Sequence, residues 1–227
     1  MVEDFFKRKI PFFNINNSLP VARPGLPFII SLLVLSAICF LFGWRCLTTI
    51  FFILFLFNLW FFRDPDRLPP PGDFGLSPAD GRIIRIDQNS ICPISGENAI
   101  KVSIFLNLFN VHVNRSPIAG SIISQDYRAG KFFNASFDKA SDQNERRIML
   151  LEDEKGRRIV CSQIAGLIAR RVVSWVEPGQ SLKRGQRFGM ILFGSRVDIY
   201  LPLSVEIMVG LGQKVLAGWS PIWRYRD

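Results

Sequence analysis

Histidine is almost missing from this sequence: His112 is the one imidazole in 227 residues. A site needing several imidazoles, including the common hydrolytic zinc centres, is therefore excluded, and no metal is expected. Any imidazole chemistry must pass through His112. Cysteine is scarce as well. Cys39 and Cys46 lie in an apolar N-terminal region, while Cys92 and Cys161 stand alone, and no CxxC spacing occurs. Neither a zinc ribbon nor a disulfide framework is indicated, and such thiols suit a reducing compartment. The Gly-x-Ser-x-Gly elbow of α/β-hydrolases is absent, as is the alternating helix and strand pattern it requires. Despite a formal net charge of +9, there is no nucleic-acid-binding module and no basic stripe with interleaved aromatics. Nucleic acid is not expected as a partner.

Charge is nearly absent from one long stretch. Between Leu26 and Phe62 the only charged residue is Arg45. Pro27 to Gly43 and Leu47 to Phe62 would each form a helix of about 25 Å, a little short of a hydrocarbon core of about 30 Å. The turn between them, Gly43-Trp44-Arg45-Cys46, places an aromatic and a cation together, as at a membrane interface. The stretch reads as an anchoring hairpin over residues 26–62, either spanning the bilayer or dipping into one leaflet. Its length, its two parts and the lack of a small-x-small site argue against a cleaved signal peptide. Lys7, Arg8, Lys9, Arg23, Arg63 and Arg67 flank both ends, which puts both termini, and the globular domain that follows, on the cytoplasmic face of a cell membrane. Residues 1–25 form an interfacial or flexible segment, and residues 63–72 a charged, proline-rich linker.

From residue 73 to 227 the pattern is mainly β. Apolar and β-branched runs recur at Arg82–Asp87, Ala99–Leu106, Ile118–Ser124, Arg147–Leu151, Arg158–Ile164, Leu167–Val176, Phe188–Phe193, Val197–Leu201 and Val205–Val209. Turns rich in Gly, Pro, Asp and Asn separate them. The one helical pattern lies around Lys139–Glu145. The phrase from Val176 to Gly189 resembles the turn-and-strand passage of lipoyl-like, barrel-sandwich-hybrid folds. A basic β domain behind an apolar anchor suits an anionic membrane surface.

Three polar groups stand out. Asp80 sits in Ser77-Pro-Ala-Asp-Gly-Arg82, His112 in Val111-His-Val-Asn-Arg-Ser-Pro117, and Ser195 directly after Gly194 between two apolar runs. Strand alternation would set His112 on the face opposite Val111 and Val113. Each residue also has an ordinary reading: an Asp-Gly turn, a structural histidine, and a bulge at a glycine. Together they have the composition of a relay in which a carboxylate orients an imidazole and the imidazole deprotonates a hydroxyl.

These motifs, with Asn144-Glu-Arg146, Phe193-Gly-Ser-Arg-Val-Asp198 and the post-anchor Phe62-Arg-Asp-Pro-Asp-Arg67, resemble in order and spacing the short, membrane-anchored branch of the phosphatidylserine decarboxylase proenzymes. The resemblance implies autocatalytic serinolysis at Gly194-Ser195, with His112 and Asp80 assisting Ser195. Cleavage would give a β subunit (1–194) and an α subunit (195–227), held together as a heterodimer with scope for a higher homo-oligomer. Ser195 would become a covalent pyruvoyl cofactor, which forms a Schiff base with phosphatidylserine and yields phosphatidylethanolamine and carbon dioxide. Arg115 and Arg196 are candidate contacts to the anionic lipid substrate. Two positions depart from longer members: Arg196 follows the cleavage serine in place of Thr or Ser, and Phe109 stands where a second histidine can occur. The alternatives are a membrane-tethered, non-catalytic β-domain scaffold and an anchored serine hydrolase that stays in one piece.

Overall fold

A nearly charge-free stretch that leaves water can satisfy its backbone only within itself. The computed structural model, which describes residues 20–130, 144–166, 171–192 and 195–226, accordingly makes two helices of it. These are α1 (Leu26–Leu41) and α2 (Arg45–Phe61). Their bounds lie within two residues of those expected. At the turn, Gly43 takes φ +75°, a conformation open to a residue without a Cβ. Across the hairpin the Ser36 hydroxyl donates to the Thr48 carbonyl at 3.2 Å. The outward faces remain apolar, with Phe40, Leu41, Phe42 and Ile53 exposed. Arg23–Leu41 has a mean hydropathy of 2.3 and is long enough to cross a membrane. By length and composition, this helix can anchor the chain in a bilayer.

The two ends of the hairpin meet. The Ala22 N–H donates to the Phe62 carbonyl and the Asp64 N–H to the Pro20 carbonyl, both at 2.7 Å. Beyond this point the chain is β, as expected. The largest sheet holds eight antiparallel strands in the order β13-β2-β3-β11-β7-β6-β5-β9. Its central members are β2 (Gly81–Ile91), β3 (Asn98–Leu106), β11 (Ser195–Leu201), β7 (Arg158–Ala165) and β6 (Arg146–Glu152), flanked by β5 (Gly120–Arg128), β9 (Ser181–Leu182) and β13 (Lys214–Val215). Two three-stranded sheets pack with it. One is β1 (Phe74–Leu76), β14 (Pro221–Tyr225) and β12 (Val205–Ile207); the other is β4 (Val113–Arg115), β10 (Arg187–Ile191) and β8 (Val172–Ser174).

Strands β1, β4, β9, β13 and β14 carry no usable alternation, because four of them have only two or three residues and β14 begins with proline. Of the helical pattern at Lys139–Glu145, residues 139–143 lie outside the described residues, and Asn144 forms a β-bridge.

Strand periodicity divides β11 between two faces. Val197, Ile199 and Leu201 enter the main core with Ile104, Cys161 and Trp223. Ser195 shares that parity. Arg196, Asp198 and Tyr200 take the other face, yet all seven residues of β11 are buried. A strand buried on both faces reads as a continuous apolar run. The Arg–Asp pair in its middle is the exception that needs a partner.

A second apolar cluster joins the anchor to the domain. Ala22, Ile29, Phe61 and Phe62 from the hairpin pack with Val111, Val113, Met190 and Leu192. The base of the anchor is thereby packed on β4 and β10.

Candidate active site

Ser195 opens the central strand β11, facing Leu106 of β3 on one side and Ala165 of β7 on the other. It is fully buried. Among the described residues its Oγ has no hydrogen-bond partner. A buried hydroxyl without a partner costs about 1–3 kcal/mol, so its presence at this position calls for a chemical reason. Gly194 and Phe193 lie outside the described residues, so the expected cleavage site is described from Ser195 onward.

His112 arrives from the segment between β3 and β4. Its carbonyl accepts from Ile191 N–H at 3.3 Å, and Val113 pairs with Met190. This places His112 beside the end of β10, four residues before Ser195 in the chain. The expected strand alternation does not apply here, because β4 begins only at Val113. The imidazole instead packs on Phe61 at the end of α2, with ring centroids 4.3 Å apart. Phe61 belongs to the same cluster as Val111 and Val113.

Burial holds the His112 pKa down at about 4; the Asn110 backbone offsets part of this, the Arg63 charge adds to the depression, and the Asp80 charge opposes it. Neither ring nitrogen has a well-formed hydrogen bond among the described residues. At neutral pH the ring is therefore an uncharged base with a lone pair available. Between pH 6.5 and about 4 the unfolded chain binds a proton at this residue that the folded chain refuses. Folded-state stability should thus fall as pH drops through this window, by roughly 3 kcal/mol in total. Melting temperatures of the wild type and His112→Phe from pH 4 to 7 check this: the gap between the two proteins should move against the wild type as the solution is acidified. A gap independent of pH would contradict a histidine buried as the neutral base.

Asp80 lies at the turn into β2. Gly81, expected as a turn glycine, has an ordinary φ and is required by proximity: a Cβ there would meet the Phe105 carbonyl oxygen at 2.2 Å. Asp80 is 4% exposed. Its carboxylate makes a bidentate pair with Arg67, at 2.5 Å and 2.8 Å, and accepts the Ala217 N–H at 2.7 Å. No hydrogen bond links Asp80 to His112 in this arrangement, although the histidine feels the carboxylate's charge. Among the described residues Oδ2 accepts a single bond, from Arg67, and a carboxylate oxygen has capacity for another.

The two candidate substrate arginines are otherwise engaged. Arg196 is 1% exposed and makes a bidentate pair with Asp198 at 2.6 Å and 2.7 Å, on the face of β11 opposite Ser195. Arg115 is 4% exposed, with Asp64 at 3.3 Å and the carbonyls of Pro65 at 2.8 Å and Gly185 at 3.3 Å. Burial, more than any neighbour, pulls its pKa down to about 10.

Several residues to which the sequence assigned no role also contribute. Gln163 lies directly opposite Val197 on the Ser195 face and donates to the Asn114 side-chain carbonyl at 2.7 Å. Asn144 donates to the carbonyl of Ala165, the residue facing Ser195, at 2.7 Å. Glu145 accepts the Val172 N–H at 3.2 Å, and burial raises its pKa. Phe61 and Arg67 both come from the anchor and its exit. The sequence signal for Arg67 was the charge alternation of Arg63-Asp-Pro-Asp-Arg67. Among the described residues no group of acidic, histidine or cysteine side chains could hold a metal ion.

Taken together, these features define a β-domain enzyme carried on an apolar helical hairpin, with a buried serine at the start of the central strand β11 and a neutral histidine beside the end of β10. Comparison with known proteins narrows the class. The family model described as phosphatidylserine decarboxylase matches residues 54–222. A phosphatidylserine decarboxylase proenzyme of Syntrophus aciditrophicus is 47% identical over 89% of this chain and 96% of its own. That of Solidesulfovibrio magneticus is 48% identical over 91% and 97%, and that of Nitrosomonas eutropha 46% identical over 91% and 95%. The chain belongs to the phosphatidylserine decarboxylase family.

Proposed function

We propose that this protein decarboxylates phosphatidylserine to phosphatidylethanolamine after cutting its own chain at Gly194-Ser195. The observation that carries the reading is the fully buried Ser195 hydroxyl at the start of β11, without a partner among the described residues, in a chain whose one histidine is a neutral base. Membership of a family whose relatives are described as proenzymes supports it.

His112 takes the Oγ proton as Ser195 adds to the Gly194 carbonyl carbon, with Asp80 orienting the ring once it turns toward Oδ2. The acyl group moves from nitrogen to oxygen, giving an ester. Loss of the Ser195 α-proton expels the Gly194 carboxylate by breaking the Cβ–O bond. Water then replaces the nitrogen at position 195, releasing ammonia and leaving a pyruvoyl group. That group supplies the electron sink that removal of carbon dioxide from an amino acid requires. His112 then has a second task, returning a proton to the carbon that lost the carboxylate.

The sheet favours keeping both fragments. β11 is hydrogen-bonded between β3 and β7, β13 to β2 and β14 to β1, so residues 195–227 are paired with four strands of the larger piece. A heterodimer is the expected product. The hairpin would hold this domain at the bilayer surface, where the lipid head group lies, on the cytoplasmic side. The paired environments of Arg115 and Arg196 suit framework roles better than substrate contact.

Intact mass of the purified protein tests the reading. Two fragments, 1–194 and 195–227, are expected, the smaller without a free N-terminal amine, together with release of carbon dioxide from phosphatidylserine in mixed micelles. A single uncut chain with full decarboxylase activity would refute it, and an uncut chain with esterase activity would favour a hydrolase.

A further inference from the structure

The charged segment leaving the hairpin reads in sequence as a boundary. In the structure it is pinned inside the domain. Asp64 is buried between Arg115 at 3.3 Å and Arg187 at 2.7 Å. Asp66, largely exposed, holds the far side of Arg187 at 2.7 Å. Arg67 continues inward to Asp80. Its Nη1 donates to Asp80 Oδ1 at 2.5 Å and to the Ala217 carbonyl at 2.9 Å, while Nη2 donates to Oδ2 at 2.8 Å. The Ala217 N–H returns a bond to Oδ1 at 2.7 Å. Four hydrogen bonds thus lock one guanidinium, one carboxylate and the backbone N–H and carbonyl of one residue together.

We propose that Arg67 is a positioning residue for self-processing, holding the Asp80 carboxylate at the angle from which Oδ2 can receive the His112 ring. This rests on the reading of Asp80 and His112 given above. The planar fork is what the site uses: two parallel N–H bonds fix a carboxylate's rotation, whereas an ammonium fixes only its distance. Without Arg67, Asp80 keeps only the Ala217 N–H, which leaves the carboxylate free to swing about its last torsion. Because Arg67 lies six residues after the end of α2, the carboxylate is also set by the docking of the anchor. Phe61, at the end of α2, packs on the imidazole with the two rings tilted by 32°, so the anchor borders both groups.

The test follows cleavage in time for full-length chains made by cell-free synthesis into detergent micelles. Wild type, Arg67→Ala, Arg67→Lys and Asp66→Ala are compared, with and without guanidinium or ammonium chloride. Arg67→Ala and Arg67→Lys should be slowed roughly 10- to 100-fold, the penalty typical of a misplaced catalytic group. Low concentrations of guanidinium, but not ammonium, should speed Arg67→Ala, because the Arg67 side chain retains 13% exposure and its vacated space opens to solvent. Asp66→Ala, which loosens the same segment without touching Asp80, should cleave at nearly the wild-type rate.

Wild-type cleavage in Arg67→Ala, no response to guanidinium, or equal slowing in Asp66→Ala would overturn the assignment. Each would leave the functional reading standing. A wild type that never cleaves would instead remove that reading and the proposal with it. If Arg67→Ala loses its melting transition, Arg67→Lys decides: slow cleavage at an unchanged melting temperature supports the role, and wild-type cleavage refutes it.

Discussion

Replacing Ser195 with alanine is expected to abolish both chain cleavage and decarboxylation, while leaving the fold as stable as before or more so. On the reading proposed above, the hydroxyl is the nucleophile and the Ser195 Cα becomes the keto carbon of the cofactor, so nothing else in the chain replaces this residue. The loss should reach the detection limit of a carbon dioxide release assay. The stability half is less usual for a fully buried polar residue. Ordinarily a buried hydroxyl has a partner, and its removal leaves that partner orphaned. Here Oγ has none among the described residues, and alanine fits the strand between Leu106 and Ala165 without a volume increase. Removing an unsatisfied hydroxyl should gain on the order of 1 kcal/mol, seen as an unchanged or slightly raised melting temperature. Groups held in unfavourable surroundings for chemistry often behave this way. A Ser195→Ala chain that is still cut would place the scissile bond elsewhere. An uncut but strongly destabilised one would mean that the hydroxyl is structural.

What could be read from the sequence depends on how local each signal is. The hairpin was legible because charge depletion over residues 26–62 is a property of one stretch. The β class was legible for the same reason, run by run. Ser195 stood out as a candidate because Gly194 interrupts two apolar runs. The register was not legible: only the pairing of β4 with β10 shows that His112 lies beside Ile191, and no periodicity predicts it. The arginines make the contrast sharper. Arg196 and Asp198, two apart in a strand, had to share a face, so their pairing was available in advance. Arg115 and Asp64 are 51 residues apart, and a free cation and a paired one look identical in sequence. Arg67 failed for a related reason. Its segment has the charge and proline content of a solvated linker, and only the fold supplies the buried carboxylate it reaches.

Asp64 gives the largest expected effect on stability. It is completely buried and is the only carboxylate in contact with Arg115 among the described residues, while Arg187 also has Asp66. Asp64→Ala would leave the Arg115 guanidinium buried with only the Pro65 and Gly185 carbonyls. Breaking a buried pair from one side costs about 3–5 kcal/mol, because the survivor stays desolvated and uncompensated. That is a large part of a typical domain stability of about 5–15 kcal/mol, and for a chain of this size implies a fall in melting temperature on the order of 10 °C. Lost packing and a stranded charge predict different second steps. If the charge is responsible, adding Arg115→Met to Asp64→Ala should recover much of the loss, since replacing both partners of a buried pair by apolar groups is often close to neutral. If packing at the segment is responsible, the second substitution should deepen it. Melting curves of the single and double variants in the same detergent separate the two. A double variant that recovers its melting temperature but stays slow to cleave would place the contribution of this ion pair in holding the segment that delivers Arg67, apart from its contribution to stability.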